Sequence, residues 1–241
     1  MKRNLLLLAA ALLALCSCGP RKVAGQEETV TRGIQSPYES ISIKGNVDVV
    51  IDDEANVMTL TGDKNLLKLL NVKVGKKAIK ITATAGLLRD ASSPRVKVTL
   101  PFSPWLNNLK MEGTSSFEFG QGDIGPKLTV ETKGANYVHS VMALVDLVIR
   151  AEGSDRIMID CVCDNADIDA KGSCIIGSEK GPIAAEKIKI FTYGTSEAYL
   201  ESPNDVFGAA AEASVIHIRG GNDELKLKVK DNAKVLRYDI M

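Results

Sequence analysis

Aromatic residues are scarce in this 241-residue sequence, which has one Trp, five Tyr and five Phe. It has two histidines and five cysteines, and Lys plus Arg balance Asp plus Glu at 30 each. Each shortage narrows the function. Without excess positive charge the chain lacks the electrostatic footprint of a nucleic-acid binder or of a protein held on anionic lipid by charge. His139 and His217 are far apart with no motif around either, so they do not form the acid–base constellation of a hydrolase or lyase. No Walker loop, GxSxG, HExxH or dinucleotide-binding glycine fingerprint occurs. The apolar run over residues 5–15 is too short to cross a bilayer.

That run has a different meaning. Lys2 and Arg3 precede it and Leu15-Cys16-Ser17-Cys18 follow it, the layout of an export signal. The ending resembles the bacterial lipoprotein box, an aliphatic residue at −3 and a small one at −1 before the Cys that is lipidated. Cys18 fits that role better than Cys16, whose −1 neighbour would be Leu15. Residues 1–17 are therefore expected to be removed and Cys18 to carry the lipid. Loss of Lys2 and Arg3 leaves 28 basic against 30 acidic residues. Residues 18–37, polar and flanked by Gly and Pro, read as a tether between membrane and domain. This places the protein as an outer-membrane lipoprotein, facing the periplasm or the cell surface.

What is abundant is repetition. From residue 109 to 235 alternating apolar residues lead to a Gly and then a small residue. The copies begin Leu109-Lys-Met-Glu-Gly113-Thr, Leu128-Thr-Val-Glu-Thr-Lys-Gly134-Ala and Leu147-Val-Ile-Arg-Ala-Glu-Gly153-Ser. Ala166-Asp-Ile-Asp-Ala-Lys-Gly172-Ser and Ile188-Lys-Ile-Phe-Thr-Tyr-Gly194-Thr follow. Two decayed copies end the series, one reading Phe207-Gly-Ala-Ala-Ala-Glu-Ala213-Ser and one over residues 225–235. The pivots from Gly113 to Ala213 are spaced by 21, 19, 19, 22 and 19 residues. That period suits one turn of a β-solenoid, whereas separate hairpins have no reason to keep a constant interval. Four residues before each pivot stand Leu109, Val130, Ile149, Ile168, Ile190 and Ala209; the positions between are mostly charged, as in a half-buried strand. The Gly pivots read as tight corners needing positive φ. The last copy, with Lys226, Lys228, Lys230 and Lys234, reads as a C-terminal cap whose lysines discourage edge pairing.

Residues 38–108 are β-like but less regular. Ile41, Ile43, Val47, Val49 and Ile51 alternate around Gly45-Asn46, either a hairpin or a first solenoid turn. Residues 65–70 form a short helix candidate, and Pro101 and Pro104 punctuate the passage into the repeats. The fold expected is all-β, a parallel β-helix of about 19–22 residues per turn with an irregular β-rich start. Residues 38–241 are expected to form one continuous domain, the repeats proper spanning 109–241.

Tyr38-Glu-Ser-Ile-Ser-Ile-Lys-Gly-Asn-Val-Asp-Val-Val-Ile, Leu60-Thr-Gly-Asp-Lys-Asn-Leu-Leu and the later Leu100-Pro101 with its Gly-small repeats resemble the auto-transporter adhesin, head GIN domain family. The resemblance runs from about residue 37 to 235 and implies a β-helical domain, common among lipoproteins of Bacteroidetes. Its motifs specify a fold rather than a chemistry, and it carries no binding residues to transfer.

Other candidate chemistry has plainer readings. Asp155, Asp160, Asp164, Asp167 and Asp169 crowd one stretch without calcium-loop spacing and are expected on solvated strand faces. Cys161 and Cys163, two apart, are poorly placed to pair with each other. Cys174 could bridge to either in an exported protein, and buried free thiols are the favoured reading. Trp105 and Phe102 are expected to plug the junction before the repeats. The sequence thus leads to a non-catalytic envelope module for adhesion, binding or scaffolding, with no metal or cofactor. Its partners would be the membrane through the lipid, an unknown protein or glycan ligand, and a homo-oligomer. The alternatives are a periplasmic structural or stress-related protein-binding component and, further off, a polysaccharide-active enzyme on a β-helix.

Overall fold

The computed structural model describes residues 25–34, 37–83, 95–121, 124–202, 205–220 and 225–238. The signal segment and Cys18 lie outside the described residues. Part of the 18–37 stretch, read as a tether, forms a strand: β1 (Glu27–Arg32) pairs antiparallel with β4 (Met58–Asp63). Its signal was faint because only Val30 is even half-buried.

The first solenoid turn is β2 (Ser40–Gly45) and β3 (Val47–Asp52), joined at the Gly45 corner. After β4 comes α1 (Lys64–Leu67), shorter than the helix expected over 65–70. The Asp63 carboxylate accepts from the Asn65 N–H at 2.8 Å and caps its start. Leu70 already belongs to β5 (Leu70–Val74), which runs antiparallel to β6 (Ala78–Ala83). β7 (Val96–Pro101) follows.

The repeats then alternate between two faces. Before each corner lie β8 (Asn108–Gly113), β10 (Lys127–Gly134) and β12 (Asp146–Gly153). After it come β9 (Ser116–Gln121), β11 (Tyr137–Ala143) and the first half of β13 (Arg156–Gly172), whose second half crosses to the first face of the next turn. β14 (Ile175–Ile176), β15 (Ile183–Gly194), β16 (Glu197–Glu201), β17 (Asp205–Ala210), β18 (Val215–Arg219), β19 (Lys226–Val229) and β20 (Lys234–Arg237) complete the stack. From β8 onward every pairing is parallel, so the architecture is the expected parallel β-solenoid.

The chain does not stack in sequence order at its start. β6 and β8 lie on opposite sides of β2, and β7 and β9 on opposite sides of β3. Residues 102–107 therefore carry the chain from one side of the first turn to the other. The crossover is fastened by the Tyr38 hydroxyl, which donates to the Pro101 carbonyl at 2.8 Å, and by Ser103 Oγ, which donates to the Tyr38 carbonyl at 2.6 Å. Burial pushes the Tyr38 phenol far above its ordinary range.

The corner glycines show why the repeat needs them. Gly113, Gly134, Gly153 and Gly172 have φ of 117, 133, 122 and 103°. A Cβ on Gly134 would collide with the carbonyl oxygen of Gly113 one turn away. That same carbonyl accepts the Ala135 N–H at 2.8 Å, the link that recurs from corner to corner. This ladder corrects the sixth copy. Gly194 O accepts from Ala213 N at 2.9 Å, so Ala213 stands one place after the pivot and Glu212, with φ 63°, is the pivot itself. In the last turn Asp231, φ 57°, has that role.

Leu109, Val130, Ile149, Ile168 and Ile190 from one face, and Val138, Ile157, Ile216 and Ile218 from the other, are all at most 1% exposed. At the N-terminal end the stack is closed by strands of reversed direction, β4 against β7 and β5 against β6. At the C-terminal end β19 and β20 each bring one half-buried residue, Leu227 and Val235, against the core and leave the rest exposed, with Val229 and Leu236 open to solvent, so this last turn is only a partial cover.

Candidate functional site

The outer side of the first face is tiled with paired charges. Lys44 meets Glu112 at 2.7 Å, Lys110 meets Glu131 at 3.0 Å, and Lys133 meets Glu152 at 2.9 Å. Asp167 joins Arg150 at 3.0 Å and Lys189 at 3.2 Å. Each cation faces an anion one turn away: in four of these pairs the two are register partners on adjacent strands, and Arg150 reaches Asp167, two places from its own register partner Asp169. The hydrogen bond from Lys44 lowers the Glu112 carboxyl below its ordinary value, and that to Glu131 raises the Lys110 ammonium. Burial alone would raise Asp167, but Arg150 and Lys189 outweigh it and the group is lowered.

On the second face, near the C-terminal end, Tyr199 and His217 of adjacent turns stack with centroids 4.4 Å apart. Glu197 Oε1 lies 2.8 Å from the Tyr199 hydroxyl and 2.7 Å from His217 Nε2. Burial, then the bond to Glu197, pushes the Tyr199 phenol up to about 12. Tyr238 meets both rings edge-on. His139, by contrast, is exposed and lies beside Tyr137. The two histidines stay on separate turns. Among the described residues no group of three or more His, Cys, Asp and Glu lies close enough to hold a metal ion.

Inside the corner runs a polar column that the sequence reading did not isolate. Two places after each pivot stand Ser115, Asn136, Asp155, Cys174, Ser196 and Ser214, all 1% exposed or less. Four of these accept a backbone N–H from the turn before: Val47 N donates to Ser115 Oγ at 3.2 Å, Ser115 N to Asn136 Oδ1 at 3.1 Å, Asn136 N to Asp155 Oδ1 at 2.7 Å, and Cys174 N to Ser196 Oγ at 3.3 Å. Asp155 is therefore an interior residue and not part of a solvated face, because its column turns inward at the corner. Asp160 and Asp164 are exposed, while Asp167 and Asp169 are half-buried. Cys161, Cys163 and Cys174 are buried free thiols. The hydrogen bond with Cys163, then burial, holds Cys161 well above the usual thiol range, and burial raises Cys174.

The remaining feature lies on the edge opposite the corners. Trp105 does not plug the junction: at the crossover Leu106 turns inward, 1% exposed, and Trp105 turns outward, 61% exposed. Phe102 does pack inward, stacking on Phe119 at 5.7 Å. Beside Trp105 is a groove of about 550 Å³, a size typical of small-ligand sites. Pro104, Ile124 and Pro126 form its apolar walls, and Asn107, Asn108, Lys127 and Thr129 its polar rim. Thr129 and Asn108 are cross-strand neighbours on β10 and β8, so the rim is set on paired strands. Among the described residues these four rim side chains make no hydrogen bond or ion pair, unlike the tiled face. The lone Trp next to Pro104 was visible in the sequence; its orientation depended on how the chain passes around the first turn.

A profile of the family described as putative auto-transporter adhesin, head GIN domain matches residues 37–235. No curated protein matches the sequence. Among solved structures the chain is similar to a putative adhesin from Bacteroides fragilis, with TM-score 0.72 and 15% identity over 90% of this chain and 99% of that one. A putative lipid binding protein from Parabacteroides distasonis gives TM-score 0.62 and 18% identity, over 89% and 98%. A putative adhesin from Parabacteroides merdae gives 0.57 and 16%, over 89% and 97%. At these identities the likeness establishes the fold.

Proposed function

Because the chain belongs to the putative auto-transporter adhesin, head GIN domain family, we propose that it is a binding module of the cell envelope, anchored through lipid on Cys18 and acting without catalysis. The observation that carries this reading is the groove at Trp105. A single large aromatic side chain is left 61% exposed beside rim side chains that engage no protein partner, whereas the outer side of the first face is tiled with ion pairs. The relatives named as adhesins accord with such a role. Lys2, Arg3 and the Leu15-Cys16-Ser17-Cys18 ending support export and lipidation, and hence a place on the outer membrane.

The experiment has two arms. Cells making the Cys18→Ala variant should lose incorporation of labelled fatty acid and release the protein from the membrane fraction. Cells making Trp105→Ala should keep the anchored protein and lose attachment to the surfaces that the unaltered chain recognises. Attachment that survives Trp105→Ala would refute the groove as the binding site.

A second reading is favoured by the charge-tiled face, which offers a broad, neutral surface to a protein partner or a second copy in the periplasm. Protease shaving of intact cells separates the two. Degradation without lysis supports an outward-facing adhesin, and protection until the outer membrane is opened supports the periplasmic component.

A further inference from the structure

We infer that the Trp105 groove binds a glycan through an acidic sugar, one bearing a carboxylate. This names the ligand of the binding module proposed above and rests on that reading.

Three features of the groove fit that chemistry together. The first is the indole. A pyranose ring has an apolar face of C–H bonds and a rim of hydroxyls, and an exposed Trp flanked by Pro104 and Pro126 offers a flat apolar surface to the former. The second is the rim. Asn107 and Asn108 each offer one carbonyl acceptor and two N–H donors, which complements hydroxyls that donate and accept at once; Thr129 adds a hydroxyl of the same kind. The third is charge. Lys127 is the charged group among the described lining residues. Its cross-strand neighbour Asp146 accepts a hydrogen bond from Asn165 Nδ2 at 2.9 Å, and Lys127 itself makes no ion pair among the described residues. An unpaired ammonium beside an aromatic face selects an anionic ligand, and a carboxylate gives it a charge-assisted hydrogen bond.

The backbone argues against an extended peptide in the same place. β8 is paired on both sides, with β2 and β10, and β10 is paired with β8 and β12. No strand edge is therefore free at the groove to take up another strand, and recognition there must go through side chains.

The test uses the full mature chain in detergent with uronate and sialylated oligosaccharides, each beside its carboxyl-reduced, neutral counterpart. The acidic form should bind, and the neutral form should bind at least about tenfold more weakly, the effect of losing one charge-assisted contact. Trp105→Ala should weaken the acidic ligand by about tenfold or more at an unchanged melting temperature. Lys127→Gln should remove the discrimination between the two forms. Equal binding of acidic and neutral forms, or of the unaltered chain and Lys127→Gln, would overturn the acidic-sugar assignment. Should no oligosaccharide bind while attachment of cells still depends on Trp105, the ligand is not a sugar and the binding-module reading survives. Loss of every Trp105 dependence removes both.

Discussion

Asp155 Oδ1 accepts two hydrogen bonds from Asn136 of the preceding turn, from the backbone N–H at 2.7 Å and from Nδ2 at 2.8 Å. Its other oxygen, Oδ2, is buried without a partner. Removing the side chain strands two donors at once. We expect Asp155→Ala to lower stability by about 2–4 kcal/mol, and Asp155→Asn, which keeps the acceptor, to change it by less than about 1 kcal/mol. Urea unfolding measures both. Equal effects would show that the corner ladder is not what the carboxylate supports.

The pivots give a second pair of variants with opposite signs. Gly153→Ala places a methyl group against the Gly134 carbonyl at φ 122° and should cost about 2 kcal/mol or more. Glu212→Gly relieves a positive φ of 63° where no glycine stands and should gain up to about 1 kcal/mol. A loss of stability in Glu212→Gly would contradict the reassigned pivot.

How far the sequence could be read follows from these same positions. The glycine column and its interval expose the solenoid because a corner that forbids a Cβ leaves the same residue in every turn. The column fails as a guide at Glu212 and Asp231, where side chains occupy the left-handed region, and the copy is then misread by one place. Asp155 looks like one of five surface acids because alternation counted along a strand does not carry around a corner. The place of Gly45 as an interior pivot was only half legible. Its neighbours Ala83 and Gly113 lie 38 and 68 residues further on, and no short-range pattern records a chain that returns to both sides of its first turn. Trp105 was misjudged for the same reason, since the crossover that turns it outward is a tertiary event.

The thiols offer a third prediction. Cys161, Cys163 and Cys174 are at most 4% exposed; the hydrogen bond with Cys163 and burial raise Cys161, burial raises Cys174, and Cys163, lowered by its hydrogen bond with Cys161, is kept from reagent by burial alone. A thiol-specific reagent should leave all three unmodified in the folded protein and label all three in urea. Labelling of any one under native conditions would mean that its turn opens.

The tiled face predicts a response to acid. Glu112 and Asp167 are lowered from ordinary values of 4.5 and 3.8, so each contributes stability that is present above those values and lost as pH falls through the lower folded-state value. The urea midpoint should hold from about pH 7 to about pH 5 and decline below about 4.5, the decline shrinking in high salt because these pairs are solvent-exposed. A midpoint that rises as pH falls below 4.5 would reverse the sign and contradict the assignment.

The central claim is that ligand occupies the groove at Trp105, and the chain carries its own reporter, because Trp105 is its one tryptophan. The direct measurement is quenching of tryptophan emission by iodide and acrylamide, with and without saturating acidic oligosaccharide. The account predicts ready quenching in the free protein, as an indole 61% exposed requires, and marked protection when ligand is bound. A ligand that binds while Trp105 stays as quenchable as before would place the binding site elsewhere on the solenoid.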